Sequence, residues 1–501
     1  MRKIKKVLVA NRGEIAVRIM RTLREMGIKI VAVYSDADTK ALHVRFADEA
    51  YHIGPSPSSE SYLRIDKLID VAKKSCCDAI HPGYGFLAEN SEFAKAVRDS
   101  GLIFIGPDPR SIELMGSKTE SRKAMEEAGL PVVPGLKRPV KDEKELLEFA
   151  REIGYPLLLK ADLGGGGKGM RLIKSEEELI PSYRLASSEA LSSFGDPSIY
   201  IEKYIEEPHH IEVQILVDEF GNAVYLGERE CSIQRRYQKV MEETPSPFID
   251  DKIRKKMGEM AVSAIKKIGY LNAGTIEFIV DKDKNFYFLE MNTRLQVEHP
   301  ITEMVTGIDL VKCQIEIAEG KPIPFSQEDI KPRGSSIECR IYAEDPDNDF
   351  APCPGKILRL QNPEGGLGVR IDSGVYEGFE VPIFYDPLIA KLVTWGRDRI
   401  EAINRMRRAL LEYHIVGIKT TIPFFLRVLK HPDFIKGNYN THFIDRLEKE
   451  EQKIDQMVED LSAIVAFVKM EEKAKNTVSE GKNIGNRWKM MGLWFNFLNR
   501  L

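Results

Sequence analysis

The chain has 501 residues, enough for about three domains of ordinary size. Its 73 Lys and Arg against 77 Asp and Glu give a net charge of −4, without the basic excess of a dedicated nucleic-acid binder. Hydrophobic residues at 43% and charged residues at 30% exclude a largely disordered chain, and no apolar run reaches the roughly 18 residues that span a bilayer. The first apolar stretch, Val7 to Ala10, is too short for a signal-peptide core. Cys76 and Cys77 are adjacent and no Cys-x-x-Cys pair occurs, so the six cysteines read as reduced thiols of a cytoplasmic enzyme.

From the N-terminus, strands and helices alternate. Lys5 to Ala10 reads as a buried strand, and Glu14 to Met26 as a helix with Ile15, Ile19, Leu23 and Met26 on one face. Gly27 stops it, Ile28 to Tyr34 is a second strand, and further strands end at Ala79 to Gly83 and Leu102 to Gly106. This βαβ series predicts a parallel sheet. Asn11-Arg12-Gly13-Glu14 supplies only one glycine after the first strand, so NAD binding is not expected. From about Pro131, hairpin signals at Asp218 to Asn222 and Asp281 to Asn285 predict an α+β domain with an antiparallel sheet. A block of short strands and turns begins near Lys331 and closes with a helix over Arg399 to Tyr413. Glu448 to Lys475 has the spacing of an amphipathic helix. After a polar linker, Trp488 to Leu498 carries two of the three tryptophans; it either packs on its own subunit or docks a partner.

Several runs carry chemistry. A strand delivers Lys160 to the loop Gly164-Gly165-Gly166-Gly167-Lys168, whose backbone N–H groups can approach phosphate oxygens. It is not a Walker A loop, and a flexible linker would show a similar glycine run. Gly274 to Val280 and Phe286 to Asn292 read as a hairpin. Period-2 spacing puts Thr275, Glu277 and Ile279 on one face, and Phe288, Glu290 and Asn292 on one face. Glu277, Glu290 and Asn292 suit magnesium, the alternative being a solvated face with two glutamates. In Thr293 to Pro300 an extended backbone would send Arg294, Gln296 and Glu298 to one side, where Arg can fork an anion and Glu can take its proton. Glu228 to Lys239 is dense in both charge signs and reads equally well as an exposed ionic loop.

Together, Ala10 to Ala16, His81 to Asn90, the glycine loop, Glu202-Lys203-Tyr204, Gln234-Arg235-Arg236, Glu290 to Pro300 and Glu338-Cys339-Arg340 resemble the biotin carboxylase family of the ATP-grasp superfamily, over about residues 1 to 447. The resemblance implies a Rossmann-like N-terminal domain (1–115), a central ATP-grasp domain (116–330) with a mobile lid at about 131–204, and a mixed, β-rich C-terminal domain (331–447). A helical and aromatic extension (448–501) follows. The implied reaction phosphorylates bicarbonate with MgATP to carboxyphosphate, whose carbon dioxide carboxylates N1 of biotin on a carrier.

By the same resemblance, Lys118, Lys160, Gly165, Gly166 and His210 touch nucleotide phosphates or ribose. The Glu202 to Ile205 strand, with Lys203, holds adenine, and Gln234 and Tyr237 complete the nucleotide site. Glu277, Glu290 and Asn292 hold one or two magnesium or manganese ions. Lys239, Arg294, Gln296 and the Val297 backbone bind bicarbonate, Glu298 is the base, Arg340 stabilises the biotin enolate, and Tyr84 joins the substrate set. Two departures stand out: Tyr237 where many relatives have His, and Leu163 where many have Gly. Phe467-Val468-Lys469-Met470 lacks the small β domain of a biotinyl turn. The expected partners are therefore a separate biotin carrier, a carboxyltransferase subunit, and a second copy in a homodimer, with neither nucleic acid nor membrane. The acceptor, whether pyruvate, acetyl-CoA or propionyl-CoA, stays open. The alternatives are another acyl-phosphate-forming ATP-grasp ligase, against which Gln234 to Lys239 and Arg340 argue, and a nucleotide-binding regulatory subunit without turnover.

Overall fold

The computed structural model describes residues 3–136, 138–161, 170–194, 197–363 and 365–449. It divides into two units, 1–443 and 444–501, and all the described sheets lie in the first. The glycine loop, with Gly165 and Gly166, lies outside the described residues, as do the tryptophan-bearing tail and the helix expected over 448–475 beyond residue 449.

Strands β1 (Lys6–Val9), β2 (Lys29–Ser35), β3 (Glu49–Gly54), β4 (Ala79–His81) and β5 (Ile103–Phe104) form a parallel sheet in the order β3-β2-β1-β4-β5. Apolar side chains on both faces bury Val7 to Val9 of β1 completely. Val7 and Val9 meet Ile15, Ile19 and Leu23 of helix Gly13–Glu25. Leu8 points the other way, toward Phe93 and Val97 of helix Ser91–Asp99. Asn11 after β1 clamps the loop that follows β4, donating from Nδ2 to the carbonyls of Pro82 and Tyr84, each at 2.7 Å. Gly83 is required there: its φ is +66°, and a Cβ would stand 2.9 Å from Asn11 Nδ2.

Strands β6 (Leu157–Ala161), β7 (Met170–Ile173) and β8 (Ile199–Lys203) make a small antiparallel sheet in the order β7-β6-β8. Helices Glu143–Ile153 and Glu176–Phe194 accompany it, and Leu146, Leu157, Leu159, Leu179 and Ile201 give this segment its own core.

The main sheet has eight antiparallel strands. They are β9 (His209–Val217), β10 (Ala223–Arg235), β11 (Gln238–Thr244), β12 (Asn272–Val280), β13 (Phe286–Asn292), β14 (Ser335–Tyr342) and two further strands, Val369–Ser373 and Leu388–Gly396. The order is β13-β12-β9-β10-β11-β14, then Leu388–Gly396, then Val369–Ser373. One sheet thus runs through residue 330 into the C-terminal third. Helix Asp251–Ile268 covers it, with Met257, Ala261 and Ile265 packed on Ile211, Val213, Ile276 and Phe278. Asp250 caps the start of that helix and Gly269, in the left-handed region, its end.

Two readings of the sequence need correction. Glu228 to Lys239 is not an exposed ionic loop. It is the β10–β11 hairpin, with Glu228, Arg229, Glu230 and Ser232 buried. Only Arg236 and Tyr237 form the turn, between Arg235 and its partner Gln238, and both have positive φ (50° and 65°). Two-residue hairpins favour such a turn, usually built from Asn-Gly. Here the Arg236–Asp349 and Arg235–Glu344 ion pairs help hold it. The second correction concerns β13. A β-bulge shifts the register, so Glu290 faces Glu277 while Phe288 faces Phe278. Phe286, Phe288 and Met291 enter the core, and Phe288 does not share a face with Glu290 and Asn292.

Candidate active site

The strand register sets Glu290 opposite Glu277, Glu277 opposite Glu212, and Glu212 opposite Arg229. Four adjacent strands therefore carry three carboxylates and a guanidinium in one row. Like charges directly opposite one another destabilise a sheet, and burial of Glu212 and Glu277 aggravates the cost. Cations offset it. The fully buried Arg229 grips the Glu212 carboxylate and donates to Gln214 Oε1 at 2.9 Å. Lys239, reaching in from β11, places Nζ 2.5 Å from Glu212 Oε2, 2.8 Å from Glu277 Oε1 and 2.9 Å from Glu298 Oε1. Burial alone would lower the Lys239 pKa; the three carboxylates reverse this and hold it well above the ordinary lysine value.

His210 Nε2 lies 2.5 Å from Glu277 Oε2, and Gln234 Nε2 donates to His210 Nδ1 at 2.9 Å. The amide thus fixes the imidazole ring against Glu277. Glu277 stays ionised, because Lys239 and His210 outweigh the burial that opposes ionisation. Glu290 is more exposed; its pKa is raised, first by partial desolvation of its carboxyl and then by the Glu277 charge.

The segment after β13 is not extended throughout. Glu298 adopts φ −82° and ψ 10° immediately before helix His299–Thr306, and this turn carries its carboxylate under Lys239. Arg294, Gln296 and Glu298 still converge on one cluster. Arg294 donates to Asn292 Oδ1 at 3.0 Å and to Gln296 Oε1 at 2.9 Å. Gln296 and Asn292 both donate to Glu277 Oε1, at 2.9 and 2.7 Å. Glu298 Oε2 accepts from Arg340 Nη2 at 3.0 Å, and Arg340 Nε donates to Glu242 Oε1 at 2.7 Å. Burial opposes ionisation of Glu298, but Lys239, Arg340 and Arg229 bring its pKa well below the usual carboxylate value. The Val297 carbonyl accepts from Lys391 Nζ at 2.8 Å.

The remaining predicted residues lie around this cluster. Lys160 pairs with Glu202, which also meets Arg122 at 3.3 Å. Strand β8 ends at Lys203, so Ile205 belongs to the connection into β9 rather than to a strand. The Lys203 ammonium is spent on the carbonyls of Gly154 and Tyr155, leaving its backbone as the group that could meet a base. Lys118 is exposed at the first turn of helix Lys118–Glu127. Tyr237, 77% exposed at the hairpin tip, is not brought into the cluster. Tyr84 lies beneath Lys391, whose Nζ is 5.7 Å from the ring centroid.

Glu212, Glu242 and Lys391 carry no signal in the runs singled out from the sequence, and Glu89 and Arg229 lie within such runs without a role of their own. For Glu212 a signal exists outside those runs: β9 is nine buried residues, and a carboxylate inside so apolar a run demands a partner.

The residues present fit a hard divalent ion. Glu277, Glu290 and Asn292 offer oxygen donors from paired strands, the donor chemistry magnesium prefers. The neighbouring group His210, Glu212 and Glu277 is also close enough to ligate, but Arg229 and Lys239 engage both oxygens of its Glu212, whereas Glu277 shares Lys239 and Glu290 lies at the exposed end of the row. Beside these oxygens stand an ammonium, a guanidinium and an ionised glutamate with no intervening core. Such an arrangement can hold polyphosphate and a small oxyanion side by side and accept the oxyanion's proton.

The chain is similar to known proteins over most of its length. The family "Biotin carboxylase, N-terminal domain" matches residues 3–112, "Carbamoyl-phosphate synthase L chain, ATP binding domain" matches 117–326, and "Biotin carboxylase C-terminal domain" matches 338–446. A pyruvate carboxylase subunit of Methanothermobacter thermautotrophicus is 55% identical over 444 residues, covering 89% of this chain and 90% of that protein. Biotin carboxylase 1 of Bacillus subtilis is 53% identical over 443 residues, covering 88% of this chain and 98% of that protein. The biotin carboxylase domain of Hydrogenobacter thermophilus 2-oxoglutarate carboxylase was solved as a dimer with MgADP, ADP and bicarbonate. It matches with a TM-score of 0.81 at 50% identity, covering 89% of this chain and 98% of that one.

Proposed function

The chain belongs to the biotin carboxylase family, and we propose on that premise that its sheet-borne cluster activates bicarbonate with MgATP and passes the carboxyl group to biotin. The observation that carries this reading is the convergence of Glu277, Lys239, Arg294 and Glu298 on one hydrogen-bonded cluster.

Bicarbonate binds between Arg294, Gln296, the Val297 backbone and Lys239. Glu298, kept ionised by Lys239 and Arg340, takes its proton. The freed oxygen attacks the γ-phosphorus of ATP, ADP departs, and carboxyphosphate forms. Glu277, Glu290 and Asn292 hold magnesium, which neutralises phosphate charge when bound. Lys118, Lys160 and His210, with the loop containing Gly165 and Gly166, place the phosphates, while Gln234 fixes the His210 ring. Glu202, Lys203 and Ile205 line the adenine side. Carboxyphosphate splits into carbon dioxide and phosphate; the phosphate removes the N1 proton of biotin, N1 attacks carbon dioxide, and Arg340 neutralises the enolate oxygen.

Carboxyphosphate hydrolyses readily, so water must be shut out while it exists. The segment at about 131–204, with its own core, is the lid in this reading. The domain limits are 1–115, 116–330 and 331–447, with an extension from 448. Biotin arrives on a carrier protein or domain, and a carboxyltransferase subunit consumes the product. The separate subunit of the Methanothermobacter relative and the dimer of the solved domain support a homodimer inside a multisubunit carboxylase. All six cysteines are free, which suits a cytoplasmic location, and no described helix is long and apolar enough to cross a membrane.

The test is ATP cleavage that requires bicarbonate and rises with free biotin. Cleavage that needs bicarbonate but ignores biotin would point to a different acyl-phosphate ligase. Nucleotide binding without phosphate release would leave only a regulatory role.

A further inference from the structure

The motif His81 to Asn90 has no role in the reaction so far beyond Tyr84. Its last acidic residue, Glu89, crosses from the N-terminal parallel-sheet region to the segment after β13. One carboxylate oxygen accepts from the Thr293 backbone N–H at 3.0 Å, and the other from Arg294 Nε at 2.8 Å. We propose that Glu89 is a positioning residue for bicarbonate: it fixes the edge that the Arg294 guanidinium presents to the anion. This inference rests on the assignment of Arg294 to bicarbonate above.

The geometry of the fork carries it. A guanidinium has five N–H donors in one plane. In Arg294, Nε is taken by Glu89, Nη1 by Leu295 O and Gln296 Oε1, and Nη2 by Asn292 Oδ1. That leaves one Nη2 hydrogen without a partner among the described residues. Gln296 and Asn292 hold the tip of the fork, but both amides also serve Glu277. Glu89 alone holds the Nε edge through a carboxylate, and it fixes the Arg294 backbone as well, through Thr293. Without it the side chain could rotate about its last bonds and swing that Nη2 hydrogen away from the anion.

Glu89 is itself held by the fold. Asn90, the next residue, caps helix Ser91–Asp99 by accepting from Phe93 N at 2.7 Å. The loop leading to it is clamped by Asn11 at the Pro82 and Tyr84 carbonyls. The Asn11 and His81 to Asn90 motifs therefore act as one bracket, anchored on the parallel sheet, that reaches the anion site. A carboxylate so close to an anion-binding arginine also competes with the anion. The Glu89 side chain is 39% exposed, however, so water screens that repulsion and geometry outweighs it.

The experiment measures bicarbonate dependence of ATP cleavage at saturating MgATP and biotin for Glu89→Ala, Glu89→Gln and Arg294→Lys, with thermal melts of each. Glu89→Ala is expected to raise the bicarbonate KM about tenfold, with the ATP KM and the melting temperature close to those of the parent. Glu89→Gln keeps an oxygen acceptor without the charge and should fall between the two. An unchanged bicarbonate KM in Glu89→Ala beside a raised one in Arg294→Lys overturns the proposal and leaves the Arg294 assignment intact. An unchanged KM in Arg294→Lys overturns both. A lowered KM in both Glu89 variants shows that repulsion, not positioning, dominates, and a lowered melting temperature with a fall in kcat alone shows a purely structural role; either result overturns the proposal.

Discussion

Lys239 Nζ and Glu298 Oε1 lie 2.9 Å apart, with Glu298 fully buried and its second oxygen on Arg340. The base is thus ionised before substrate arrives, and two cations stabilise the charge it later loses. Glu298→Gln keeps the shape and removes the basicity. Biotin carboxylation should fall by about 10³-fold or more, with ADP affinity changed less than about threefold. Labelled carboxybiotin and nucleotide titration check this, and normal turnover would refute the assigned role.

Arg340 joins the base to Glu242 but contacts none of the predicted metal ligands. Lys239 still holds Glu298 ionised without it, so the Arg340 charge chiefly serves the biotin half of the reaction. Arg340→Ala should therefore lose carboxybiotin formation by about 10²-fold while bicarbonate-dependent ATP cleavage persists. Equal loss of both activities would place Arg340 in the phosphoryl half instead.

Glu277 holds Lys239, His210, Asn292 and Gln296 at once. Glu290 is its partner across the hairpin and carries a raised pKa, first from desolvation of its carboxyl and then from the Glu277 charge. Both substitutions, Glu277→Gln and Glu290→Gln, should raise the magnesium needed for half-maximal ATP cleavage by about tenfold or more, and chelation should abolish turnover in the parent. An unchanged magnesium requirement in both variants would exclude the hairpin as the metal site.

Stability carries its own pH signature. Burial raises the Glu14 pKa to about 7, against a smaller downward pull from Lys391 3.4 Å away. Below pH about 4.5 folded and unfolded chains both keep this proton; from there to about 7 only the folded chain does, so stability falls as pH rises through that window. The loss from this group is at most on the order of 3 kcal/mol. Against their burial, Asp372 is shifted down chiefly by Arg370 and Lys391 and Glu303 by Arg18 and Arg370, so their contributions vanish only in acid. Glu242, raised to about 7 by burial, acts in the same window in both proteins compared. Urea midpoints should therefore drop less between pH 5 and pH 8 for Glu14→Gln than for the parent. Identical drops would show that Glu14 is already ionised at pH 5.

Much of this was legible in local pattern. Ile15, Ile19 and Leu23 mark one buried helix face, and two polar-flanked apolar runs predict the hairpin that faces Glu277 with Glu290. The bulge in β13 is not legible, because a period of two cannot reveal an extra residue, and period two alone places Phe288 on the face of Glu290. The density of charge from Glu228 to Lys239 suggested a surface; instead the charges neutralise one another across neighbouring strands. Glu212, Glu242 and Glu89 enter the site only through pairings distant in sequence. Glu89 and Arg294 are 205 residues apart, and nothing in either local run predicts their contact.

The most direct test follows labelled bicarbonate into biotin with purified protein, MgATP and free biotin, for the parent and Glu298→Gln in parallel. Label trapped on biotin in the parent, dependent on ATP and absent in the variant, is the expected result. Label of equal amount in both proteins, or ATP cleaved without any carboxybiotin in the parent, would contradict a carboxylation centre built on Lys239 and Glu298.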